Sequence, residues 1–61
     1  MSEIKEVLMR RDGMPDKEAS LLIKEAKEQL QNYLAEGYFC AAENICEEFF
    51  GLEPDYIYEL L

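Results

Sequence analysis

The chain has no histidine, no tryptophan and no threonine, and only two serines. Those gaps remove most of the side chains that serve as nucleophiles or as acid–base groups near neutral pH, so ordinary hydrolase or transferase chemistry is not expected. Basic residues are few and stop early. All six Lys and Arg lie at or before Lys27, leaving residues 28–61 with eight carboxylates and no cation, so the net charge of −8 belongs to the second half. A surface of that sign repels phosphates, which argues against direct nucleic-acid binding. Long apolar runs are missing too. Nothing nears the ~20 residues that cross a bilayer, and the opening Met1-Ser2-Glu3-Ile4-Lys5-Glu6 lacks the basic end and apolar stretch of a secretion signal. A soluble, cytoplasmic protein without a membrane partner is expected.

Cysteine is scarce. Cys40 and Cys46 stand six apart in one expected helix, about 9 Å along its axis. Bridged Cα atoms usually lie within about 7 Å, so free thiols in a reducing compartment are expected rather than a disulfide. Without histidine, a Cys-x5-Cys pair does not make a closed zinc site, and the Asp-x-Asp-x-Asp-Gly calcium loop is absent. No metal and no cofactor are expected.

What the chain does have is helical periodicity, with 49% hydrophobic residues, too many for a solvated acidic tail. Glycine and proline, three and two in number, serve as punctuation. A first helix starts at Ser2 as N-cap, puts Ile4, Val7, Leu8 and the stem of Arg11 on one side, and stops at Asp12-Gly13. A second runs from Pro15 to Gly37 with a stripe of Ala19, Leu22, Ile23, Ala26, Leu30, Tyr33 and Leu34; at roughly 30 Å it is long enough to be the spine. A third, residues 38–49, turns Tyr38, Ala41, Ala42, Ile45, Cys46 and Phe49 inward and Cys40, Glu43, Asn44, Glu47 and Glu48 outward. A short last helix begins at Pro54-Asp55 and shares Ile57, Leu60 and Leu61, with Tyr56, on one face. The expected fold class is all-α: a small bundle of three helices plus a short C-terminal fourth helix, in one domain of residues 1–61. The turns Gly13-Met14-Pro15-Asp16 and Gly51-Leu52-Glu53-Pro54-Asp55 are built alike, and Met14 and Leu52 are expected to tuck into the core beside them.

The run Arg11-Asp12-Gly13-Met14, then Glu18-Ala19, Leu22-Ile23, Ala42, Ile45-Cys46 and Phe50-Gly51-Leu52-Glu53-Pro54-Asp55-Tyr56, resembles a family of small acidic, uncharacterised bacterial and phage-associated helical proteins. The resemblance covers nearly the whole chain. It implies a small helical protein and a prophage setting, and no activity, cofactor or catalytic residue.

Function is therefore sought on the surface. Paired acids such as Glu43 with Glu47 are the abundant reactive groups, but neighbours on a convex helix do not make the cleft that glycosidic or metal chemistry needs, and no enzyme is expected. Leu21 points away from the stripe of the second helix, Phe39 and Phe50 fall at the flank of the third, and Tyr58 lies off the stripe of the last. With Glu43 and Glu47, these make the candidate interaction surface: Leu21, Phe39, Glu43, Glu47, Phe50 and Tyr58. Aromatic anchors within an acidic rim suit an unidentified, basic protein partner. The bland readings are that Phe39 and Phe50 cover core edges and that the charges only keep the protein in solution. A homodimer is one alternative; another is a phosphate-mimicking inhibitor of a basic DNA- or RNA-handling protein.

Overall fold

A computed structural model describes residues 3–61; the expected cap Ser2 lies outside the described residues. These residues form helices α1 (Glu3–Asp12), α2 (Asp16–Glu36), α3 (Phe39–Glu43) and α4 (Ile45–Phe50), followed by a 3-10 helix, Pro54–Glu59. No strand occurs among them, so the chain is all-α. The envelope measures 34 × 19 × 18 Å, its long axis matching the roughly 31 Å of a 21-residue α2. Helices α1, α3 and α4 fold over that spine, and the 3-10 helix packs on α1 and α4.

The expected single helix over residues 38–49 is two short helices broken at Asn44. In an unbroken helix the Cys40 carbonyl would accept the Asn44 N–H. Here the Asn44 side-chain amide donates to that carbonyl at 3.0 Å, and the Asn44 N–H turns instead to Ala41 O at 3.2 Å. A short amide side chain competing with its own backbone is the cause. The last helix is wound as 3-10, with three-residue bonds from Tyr56 N–H to Glu53 O and from Leu60 N–H to Ile57 O. Pro15 is extended (ψ 151°) and caps α2 rather than opening it; its carbonyl accepts the Ala19 N–H at 2.9 Å.

Ile4 and Leu8 of α1, Ala19, Ala26 and Leu30 of α2, Ala42 of α3, Ile45, Cys46 and Phe50 of α4, and Leu60 make up the core. Each fully buried Ile or Leu contributes about 1.5–3 kcal/mol of transfer free energy. The alanines on α2 let neighbours approach the spine closely. Met14 and Leu52 pack partly buried against this centre, as their turns suggest. The two turns match in detail: Gly13 and Gly51 take φ of 64° and 65°, and Met14 and Leu52 donate six residues back, to Leu8 O at 3.3 Å and Cys46 O at 3.2 Å.

Four apolar residues fall elsewhere than their spacing suggests, the first being Leu34, expected on the inward stripe of α2 but 37% exposed in its last turn before Gly37. Tyr38 is 58% exposed because it follows the left-handed Gly37 and caps α3 with non-helical dihedrals, so helical phase begins only after it. Leu61 is 75% exposed: 3-10 winding aligns Ile57 with Leu60 and leaves the next residue off that line. Phe50 moves the other way, to 2% exposed. The buried face runs along Ala42, Cys46 and Phe50, four residues apart, further round than the line through Tyr38, Ala41 and Phe49, with Phe49 half-buried beside it and the two rings tilted at 6.2 Å.

Both ends of α1 are tied to the far end of the chain. Glu59 Oε1 accepts the Ile4 N–H at 3.2 Å, supplying an anionic cap to one of the donors that a helix start leaves open. Tyr58 donates to Glu3 Oε2 at 3.3 Å. At the other end Arg11 donates through Nη2 to the Phe50 carbonyl at 2.6 Å, a cation set on the C-terminus of α4. Its Nε and Nη2 also hold both Asp12 carboxylate oxygens at 2.9 Å.

Candidate interaction surface

Of the six residues singled out from the sequence, the structure places five on the surface and one inside. Phe50 is a core residue and is withdrawn from the candidate surface, because the buried face follows Ala42, Cys46 and Phe50. Leu21 is 52% exposed and stands on α2 thirteen residues before Leu34, which is about 20 Å along the axis and roughly 220° around it. It belongs to a separate face. Tyr58 is exposed but held to Glu3 through its hydroxyl, on a 3-10 helix that packs against α1 and α4.

Phe39, Glu43 and Glu47 remain, and all are exposed. Phe39 and Glu43 are four apart on α3 and so share one face; Glu47 continues the four-residue spacing into α4. Phe39 is 64% exposed and has Tyr38 beside it and Leu34 across the Gly37 turn, both outside the core. Sequence spacing missed Tyr38 and Leu34. For Tyr38 the available signal was the glycine stop itself: a residue directly after it caps the next helix, and periodicity does not apply there.

The corner is built on a firm turn. Gly37 takes φ 80°, a left-handed conformation that a side chain would strain, and its N–H bonds Leu34 O at 3.3 Å while the Tyr38 N–H bonds Tyr33 O at 2.8 Å. Glu36 and Glu43 border the aromatic pair along the chain, and no basic residue follows Lys27. Tyr33, partly buried behind the corner, donates to Glu48 Oε2 at 3.3 Å; burial, then the Glu48 charge, pushes its phenol pKa up. Tyr58 is shifted the same way by burial and by Glu3 and Glu59.

Two surface grooves lie away from this corner. One, of about 550 Å³, is lined by Lys5, Glu6, Met9, Arg10 and Asp16, with Lys5 Nζ 2.8 Å from Asp16 Oδ2. The other, of about 220 Å³, is lined by Glu3, Glu53, Asp55, Tyr56 and Tyr58. Among the described residues no group of three or more Cys, Asp or Glu is placed to hold a metal ion, and no helix is long and apolar enough to cross a membrane. Both thiols are free: Cys40 is exposed, and Cys46 is buried with its pKa raised by burial and then by the charge of Glu59, the reverse of an activated nucleophile.

No protein-family model, curated protein or solved structure matches the chain.

Proposed function

We propose that this is a small acidic protein–protein interaction module, without catalytic activity of its own, that acts in the cytoplasm on a basic protein. One observation carries the reading: large apolar side chains, Tyr38 and Phe39, stand exposed on a half-molecule that has eight carboxylates and no cation. Apolar anchors supply the burial that makes contacts tight, and a rim of one charge selects a partner of the other. A chain of 61 residues has little apolar material to spare for solvent. The rival reading, a phosphate mimic, needs only the carboxylates and leaves Tyr38 and Phe39 without a role.

In-cell photo-crosslinking from position 39, with mass spectrometry of the products, tests the proposal. The expected result is one recurring basic protein that is lost when the crosslinker is moved to Lys24 on the exposed side of α2. Products no different from those of an unrelated acidic protein would defeat it. Binding that weakens only modestly between low and physiological salt fits apolar anchoring, whereas collapse over that range fits the mimic.

A further inference from the structure

We propose, resting on the interaction reading above, that the docking face is the corner of Leu34, Tyr38 and Phe39, and that its occupant is a cationic amphipathic segment of another protein. Core and surface residues are distributed unevenly at this corner. Helix α3 buries only Ala42, while both aromatics at its start face solvent. An alanine inside and two rings outside is the inverse of what stability alone would select.

Charge decides the occupant. Glu36 precedes the rings by two residues along the chain, Glu43 follows Phe39 by one helical turn and Glu47 extends that spacing, and residues 28–61 hold no cation. A second copy of the chain would bring another eight carboxylates from its own residues 28–61, and like charges facing each other across an interface cost several kcal/mol. Phosphate backbones and anionic membranes are repelled for the same reason. A segment with Lys or Arg on its flanks and an apolar residue in its centre meets both features at once. The Gly37 turn that carries the corner is held by its own backbone bonds. Among the other exposed apolar residues, Leu21 has Lys17 and Lys24 near it on α2, Met9 borders a groove with Lys5 and Arg10, and the Tyr58 hydroxyl is engaged by Glu3.

The test uses the whole protein, a synthetic amphipathic peptide of leucine and lysine, and a control peptide with each leucine replaced by serine, at about 0.15 M salt. Backbone amide NMR shifts should move at residues 34–43, and Phe39→Ala should weaken binding at least about tenfold, as loss of a central anchor does. Leu21→Ala should leave affinity within about twofold, since most interface truncations matter little. Circular dichroism checks that both variants stay folded. The serine peptide should bind at least about tenfold more weakly. Shifts centred on residues 53–59 or on Leu21, or an unchanged affinity in Phe39→Ala, would sink the corner and leave the interaction reading standing. Equal binding of the serine peptide would sink the apolar anchor and favour the phosphate mimic. Failure of both peptides to bind overturns both proposals. Sedimentation as a dimer that Phe39→Ala dissolves would assign the face to a second copy and refute the cationic occupant.

Discussion

Helices α1 and α3 both lie on α2, yet they are attached in opposite ways. Helix α1 buries Ile4 and Leu8 and is bonded at each end by groups 55 and 39 residues away, Glu59 on its first turn and the Phe50 carbonyl on Arg11. Helix α3 buries Ala42 alone, has no side-chain bond at its start, and turns Phe39 outward. The contrast teaches that this small protein invests its long-range polar contacts in closing α1 against the C-terminal segment. Two exposed rings, Tyr38 and Phe39, lie where closure does not need them. What α3 offers is surface; what α1 offers is stability.

The widest gap should appear in thiol reactivity. Cys40, on α3, should react with a disulfide reagent at the rate of a free thiol, whereas Cys46, on α4, reacts only when the core opens. With roughly 3–9 kcal/mol of stability expected for this length, Cys46 should react slower by a factor on the order of 10² to 10⁶. Comparable rates would show that the core is not closed. Because the folded Cys46 pKa is raised, its contribution to stability is complete below the ordinary thiol value and is lost as pH rises through the folded value, so alkaline urea midpoints should fall. Cys46→Ala should remove that part of the slope.

Core deletion against corner deletion comes next. Leu30→Ala or Leu8→Ala should cost about 2–5 kcal/mol in urea denaturation, enough to unfold much of the population, while Phe39→Ala should stay within about 0.5 kcal/mol. A large loss from Phe39→Ala would return that ring to the core edge and erase the contrast. A smaller effect belongs to the clasp on α1. Glu59→Ala should cost about 1 kcal/mol, as loss of a helix cap does, and Glu59→Gln, which keeps an acceptor, should cost less. Equal losses from both would mean that the charge, not the acceptor, holds the Ile4 N–H.

The smallest effect concerns Arg11 and Asp12. The hydrogen bond from Arg11 holds the Asp12 carboxyl below its usual range, ahead of the opposing effect of burial. A depressed carboxylate contributes stability that is present above its unfolded value and lost as pH falls through the folded one. Between about pH 5 and 2, urea midpoints of the wild type should therefore fall slightly more than those of Arg11→Met. Parallel curves would show that this exposed pair contributes nothing to the acid side.

Much of the fold was legible because glycine and proline at Gly13, Pro15, Gly37, Gly51 and Pro54 cut the chain at points that local backbone sterics dictate. The turns with Met14 and Leu52 tucked beside them, the stripe of Ala19, Ala26 and Leu30, and the burial of Cys46 against the exposure of Cys40 all follow from periodicity. The break at Asn44 was not legible. Asparagine tolerates a helix interior and a helix end, and which one occurs depends on whether its amide reaches the Cys40 carbonyl. Nor was the burial of Phe50 legible, which turned on the inward face following Ala42, Cys46 and Phe50 rather than Tyr38, Ala41 and Phe49. Of the candidate surface, Phe39, Glu43 and Glu47 kept their places, while Leu21 and Tyr58 went to other faces and Tyr38 and Leu34 joined the corner.

Composition and order of residues alone determined a helical chain with a neutral front and an acidic, aromatic back, since charge and hydrophobic period are properties of the string. Only the tertiary structure decided that Glu59 caps α1, that Arg11 closes on α4, and that Tyr38 stands outside. Those outcomes depend on which ends of the rods meet in space, and contacts spanning 39 or 55 residues leave no periodic trace along the chain.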